Sequence, residues 1–135
     1  MSKVLKETWV TENIGTDYVP VTPPIDGIGA NGFYSSCCFY IENQGENPLT
    51  GFKLLVSDRL ADDGDLEVPA TTPVDLYGGG GSFCARRTTS IHALPGGMAA
   101  VLALDLAPLP PWLRLYAKTG EDAPTTLRVT MTMRR

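Results

Sequence analysis

No stretch of this chain runs far without a proline or a glycine. Eleven prolines and fourteen glycines are spread over 135 residues. Segments between these breakers are about six to ten residues long, which is strand length. No segment longer than about twelve residues carries a clean 3.6-residue apolar period. The spacing predicts an all-β protein. Its length matches a single domain that can bury one core without disulfide or metal staples. With 43% apolar and 19% charged residues, the chain is not a disordered acidic polymer.

The alternation of side chains sharpens the prediction. From Phe33 to Glu42, residues Phe33, Ser35, Cys37, Phe39 and Ile41 share one face, and Tyr34, Ser36, Cys38, Tyr40 and Glu42 the other. Both faces are fairly apolar, which suits a central strand. The patch "ENQGENP" then turns the chain. Leu49 to Ser57 runs back with Phe52, Leu54 and Val56 on one face, so the pair is expected to form a β-hairpin. Later strands follow over Met98–Leu106, where Met98, Ala100, Leu102, Leu104 and Leu106 alternate, and over Trp112–Lys118. The last is the most regular: Leu127, Val129, Met131 and Met133 face in, and Arg128, Thr130, Thr132 and Arg134 face out.

The N-terminal third differs. A short strand over Lys3–Val10 precedes "DYVPVTPPIDGIGANG", Asp17 to Gly32, which is rich in proline and glycine and poor in core formers. Such a stretch prefers extended or polyproline backbone. The expected organisation is an extended N-terminal arm or edge segment over residues 1–32, then a β-sandwich domain over 33–135. Seven or eight short strands suggest an antiparallel β-sandwich, with a jelly roll as one topology it could take.

Charge and cysteine usage exclude several function classes. A net charge of −4 gives no broad footprint for nucleic acid. No apolar run of about eighteen residues offers a membrane helix. "MSKVLKETWVTEN" has neither an apolar h-region nor a small-residue cleavage site, so cytosolic synthesis is expected. Three cysteines, two of them adjacent at Cys37 and Cys38 and one at Cys84, form neither a disulfide framework nor zinc-ligand spacing. Buried free thiols are the simpler explanation.

Each cluster of reactive side chains also has a plainer role. Asp62, Asp63, Asp65 and Glu67 in "ADDGDLE" could supply oxygens to a hard cation. The spacing is not that of an EF-hand, and a solvated acidic loop explains it. Gly78 to Gly81 could cradle a phosphate through backbone N–H groups. A P-loop also needs G-K-[ST] leading into a helix, and Arg86 and Arg87 do not replace it. His92, the single histidine, would have to recruit Ser82, Cys84 or Ser90, and no strained nucleophile turn surrounds it. No catalytic residue, cofactor or metal is therefore expected. Trp9, Tyr34, Tyr40, Tyr77, Trp112 and Tyr116 could form a binding face or pack between sheets. Trp112, Arg114 and Tyr116 share one strand face, and exposed aromatics with arginine are typical interface residues. Cys38, among Ser36, Tyr34 and Tyr40, could lie in a subunit contact.

Three stretches together, "FYIENQGENPLTGFKLLV", "SIHALPGGMAAVLALDL" and "WLRLYAKTGEDAPTTLRVTMTMR", resemble small virion proteins of tailed bacteriophages. The shared features are an N-x-G-x-N-x-L-x-x-F turn region (Asn43, Gly45, Asn47, Leu49, Phe52), an L-x-x-G before an apolar strand ending in Leu-Asp (Leu94, Gly97, Leu104–Asp105), and an L-R-L-x-A strand (Leu113 to Ala117). The resemblance spans roughly residues 33 to 134. It implies a non-enzymatic structural protein of the virion, made in the host bacterial cytoplasm. A capsid decoration or cement protein bound to the major capsid protein is the leading form. A neck, tail or baseplate component is the nearest alternative, and a carbohydrate-binding sandwich is another. A homo-oligomer, trimer or hexamer, would suit a symmetric shell, with no nucleic-acid or membrane partner. An extended arm binds by laying backbone and proline along a neighbour. The candidate partner-binding residues are therefore Tyr18, Pro20, Pro23, Pro24 and Ile25 of the N-terminal segment, with Trp112, Arg114 and Tyr116.

Overall fold

A computed structural model of the chain describes residues 4–27, 34, 36–67, 94–104, 111–120 and 124–134. The Gly78–Gly81 run, Cys84, Arg86, Arg87, His92 and Tyr77 lie outside the described residues. Among the described residues every regular element is a β-strand: β1 Val4–Ile14, β2 Val19–Pro20, β3 Ile25–Asp26, β4 Ser36–Asn43, β5 Leu49–Ser57, β6 Ala99–Leu104, β7 Trp112–Thr119 and β8 Thr125–Arg134. They form two antiparallel sheets. The first has the order β1-β8-β4-β6. In the second, β7 is central, pairing β5 along one side and β2 and β3 along the other.

Alternation drives the assembly. On β8 the side chains of Leu127, Val129, Met131 and Met133 are all buried, while Arg128 and Arg134 are exposed. On β4 the buried apolar set is Cys37, Phe39 and Ile41, and Tyr40 is exposed. The second sheet contributes Leu113, Leu115 and Ala117 of β7, with Leu49, Phe52 and Leu54 of β5, to the same hydrophobic cluster. Two apolar sheet faces sharing one core is the arrangement of a β-sandwich. Each fully buried leucine or isoleucine there contributes about 1.5–3 kcal/mol.

The expected hairpin does not form. β4 lies in the first sheet, between β8 and β6, whereas β5 lies in the second and pairs with β7. The turn at residues 44–48 carries the chain from one sheet to the other. Its anchor is Asn43, whose side chain is fully buried. Its amide nitrogen donates to the carbonyls of Asn47 (2.8 Å) and Leu94 (2.9 Å). Its oxygen accepts from the Gly45 N–H (3.1 Å) and the Thr125 hydroxyl (2.7 Å). Every hydrogen-bonding site of the amide group is thereby used. A Cβ at Gly45 would overlap the Thr125 hydroxyl, so only glycine fits there. The 94–97 turn docks on the same point: Leu49 and Leu94 exchange backbone hydrogen bonds, and the Gly97 N–H donates to the Asn43 carbonyl at 2.8 Å. Gly97 has φ +78°, open to glycine without strain. The N-x-G-x-N-x-L and L-x-x-G motifs therefore meet in space, as two halves of one crossover joint.

The N-terminal segment, over residues 4–27, occupies edges of both sheets. β1 pairs with β8 from Val4↔Arg134 to Ile14↔Thr125, with a bulge between Thr11 and Ile14 that places Asn13 at φ 57°. β2 and β3 then follow β7 in one direction, with Val19↔Ala117 and Ile25↔Leu113. The break between them falls at Thr22, Pro23 and Pro24, where prolines cannot donate to a ladder. The Thr22 hydroxyl fills in, accepting the Leu115 N–H at 3.2 Å. Ile14, Val21 and Ile25 join the common core. Over residues 4–27, then, the chain lies along sheet edges and contributes side chains to the common core.

Candidate functional site

Residues opposite each other in an antiparallel pair point to the same side. The second sheet's outer face can therefore be built from its register. Lys53 stands opposite Tyr116, Gly51 opposite Lys118, and Leu55 opposite Arg114. Pro20 flanks Tyr116 on the other side. Tyr18, just before β2, lies over the Gly51–Lys118 rung. A Cβ on Gly51 would come within 2.7 Å of the Tyr18 hydroxyl and 2.9 Å of the Lys118 stem. The missing side chain lets the tyrosine lie down on the sheet.

The result is a face of tyrosines and cations. The Lys53 ammonium sits 4.6 Å from the centroid of Tyr18 and 5.5 Å from that of Tyr116. The Lys118 ammonium is 5.1 Å from the Tyr18 centroid. These are cation–π distances. Arg114 lies 5.9 Å from the Tyr116 centroid. Its Nε donates to the Thr22 carbonyl at 2.8 Å and its Nη1 to Asp65 at 2.7 Å. Asp65 is the point where the acidic loop touches this face. Partial burial acts to raise its carboxyl pKa, but the hydrogen bond and charge of Arg114 and the Leu66 N–H outweigh that and hold it below the ordinary value. Burial, reinforced by the Asp65 charge, raises the Tyr116 hydroxyl.

The sequence-derived binding residues divide accordingly. Tyr18, Arg114 and Tyr116 converge on this face, with Pro20 at its margin. Tyr116 is only 9% exposed, because the cations cover its ring. Trp112 is half-buried on the same side of β7. Pro20 and Pro23 instead line, with Trp9, Thr22 and Arg114, a groove of about 280 Å³ where the edge of β1 passes the edge of β2. Pro24 is half-buried. Ile25 is a core residue at 5% exposure. It pairs with Leu113, whose side chain points inward, and so cannot reach a partner. Tyr40 is exposed on the outer face of the other sheet, and Tyr34 and Trp9 pack against the core margin.

Lys53, Lys118, Gly51 and Asp65 were not singled out from sequence as part of this face. The signal existed in the alternation of β5, which turns Gly51 and Lys53 outward. It carried no meaning while β5 was paired with β4 rather than β7.

Other candidates resolve into structural roles. In the acidic loop, Asp63 accepts the Asp65 N–H at 3.0 Å, the Ala61 N–H donates to the Asp65 carbonyl at 2.7 Å, and Gly64 turns at φ 86°. Glu67 pairs with Arg59 at 2.6 Å. These carboxylates are directed to different partners, and no group of metal-ligating side chains converges among the described residues. Cys37 is buried, and loss of hydration, with a smaller effect from Cys38, pushes its thiol up to about 12. Burial also raises Cys38. Neither is poised as a nucleophile.

The fold and this face define an all-β two-sheet protein with an aromatic, cationic outer surface. No protein-family model matches the chain, and comparison with curated proteins likewise gives no match.

Proposed function

We propose that this protein is a non-enzymatic structural component of a bacteriophage virion. In this reading it is a decoration or cement protein that binds the major capsid protein through the outer face of the second sheet. The observation that carries the proposal is the strand order. With β2 and β3 counted as one interrupted strand, β1, β4, β6 and β8 belong to the first sheet, and β2–β3, β5 and β7 to the second. From β1 to β5 and from β6 to β8, each successive strand changes sheet. The last strand lies beside the first. That alternation supports a jelly roll, an architecture common in viral capsid domains and in lectins. The step from architecture to role is an analogy of fold. It agrees with the likeness of the turn and strand motifs to phage virion proteins. The Pro-rich N-terminal segment takes part in this proposal through its surface residues Tyr18, Pro20 and Pro23.

A carbohydrate-binding role is the second reading. It is favoured by exposed Tyr18 and half-buried Trp112 on one side of a lectin-like sandwich. Quantitative mass spectrometry of purified phage particles separates the two. A copy number comparable with the major shell protein is the expected result. Low copy moves the protein to the neck, tail or baseplate. Absence from particles overturns the virion proposal and leaves glycan binding to be tested with Trp112→Ala.

A further inference from the structure

We infer that the Tyr18–Lys53–Tyr116–Lys118 face is a docking surface for an acidic, extended peptide segment of the partner protein. The inference rests on the binding role proposed above for this face and specifies what the face takes.

Three observations carry it. First, two of the chain's four lysines converge on a single ring in a protein whose net charge is −4. Gathering like charges is unfavourable unless something offsets it. The rings do so in part. Among the described residues no carboxylate lies within ion-pair distance of either ammonium, whereas Arg59 and Arg114 both have one. Second, the face already accepts a carboxylate at its other end. Asp65 reaches in from an adjoining loop, pairs with Arg114 and lies 3.4 Å from the Tyr116 hydroxyl. The Lys53–Lys118 end offers the same chemistry, ammonium donors beside tyrosine, with no paired carboxylate among the described residues. Third, the surface is organised in advance. Gly51 leaves room for Tyr18 to lie across the rung, and Lys53 is held between the Tyr18 and Tyr116 rings. Ordering the cations before binding lowers the entropy lost on docking. Side chains on one face of an extended peptide recur every second residue. Its carboxylates can therefore meet successive rungs of the sheet, which carry Lys118 and Lys53.

The test is titration of the full chain with a fluorescent oligo-glutamate peptide, read by anisotropy, at low and at physiological salt. Saturable binding that weakens as salt rises is expected. Lys53→Glu/Lys118→Glu should weaken it by roughly tenfold or more through like-charge repulsion. Lys53→Gln/Lys118→Gln should weaken it less, and Lys6→Glu, on β1, should leave it unchanged. Circular dichroism checks that each variant is folded. No saturable binding by the wild type overturns the inference. So does equal weakening by Lys6→Glu, which would mean only diffuse charge attraction. Tighter binding of a sulfated oligosaccharide at matched charge also overturns it, in favour of a glycan ligand. Particle incorporation is scored separately. A protein found in particles that ignores the peptide loses this inference alone. A protein that binds the peptide but is absent from particles loses the virion proposal alone.

Discussion

At the scale of single residues, the most consequential side chain is Asn43. Its amide joins four groups from three stretches of chain: Gly45, Asn47, Leu94 and Thr125. Asn43→Ala would leave buried donors and acceptors without partners, at a cost of about 3 kcal/mol or more. Urea denaturation should show the midpoint falling with little change in slope. An unchanged midpoint would show that water replaces the amide. The turn itself was legible, since Asn, Gly and Asn in close succession favour a reversal. The joint was not, because Thr125 is eighty-two residues away and a local pattern carries no record of it. Asp65 gives a pH-dependent counterpart. Its pKa is lowered in the folded state. The pair with Arg114 therefore stabilises above the ordinary carboxyl pKa, and that stability is lost as pH falls through the folded value. The Asp65 side chain is 41% exposed, so the effect is small, about 0.5–1 kcal/mol. Asp65→Asn should lower the melting temperature at neutral pH, and the gap should close below about pH 4. A gap that persists in acid would mean that packing, not charge, is what the substitution disturbs.

At the scale of elements, strand existence and facing were readable, and strand partners were not. Alternation placed the buried set of β8 correctly because one side of that strand meets the core and the other meets solvent. The same logic placed Trp112, Arg114 and Tyr116 on one face of β7. It failed where a choice of partner had to be made. Asn43 to Pro48 looks like a hairpin loop by composition, yet the chain there leaves one sheet for the other. Nothing local separates the two outcomes. What decides is that β8 and β6 take both edges of β4, leaving β5 to pair with β7. The tyrosine–lysine face was hidden by the same step, since Lys53 and Tyr116 come from strands that meet only after the crossover. β1 shows how the edge of such a sheet is kept from pairing with strangers. Glu7, opposite Met131, turns a charge toward the core side of the strand, and the bulge before Ile14 interrupts the ladder. Both devices discourage further strand addition.

At the scale of the whole molecule, the N-terminal segment decides how the protein can be dissected. Proline and glycine in Asp17–Gly32 suggested an arm that could be removed from a self-sufficient sandwich. The pairing argues otherwise. β1 covers one full edge of β8, β2 and β3 cover an edge of β7, and Ile14, Val21 and Ile25 fill the space between the sheets. Proline-rich backbone is extended, and an extended chain can lie along a sheet edge wherever its N–H groups face away. Composition alone does not distinguish that from an arm in solution. Removing residues 1–27 would uncover the long edge of β8 and open three apolar holes in the core. Each large-to-small loss in a core costs about 2–5 kcal/mol, and the sum is comparable with the whole stability of a domain. The truncated chain should therefore lose its cooperative thermal transition and aggregate through the exposed strand. A sharp transition in the truncated protein, near that of the full chain, would show that the segment is an accessory after all. The lysine face would then have to bind without Tyr18, and peptide titration of the same truncated chain would measure how much that ring contributes.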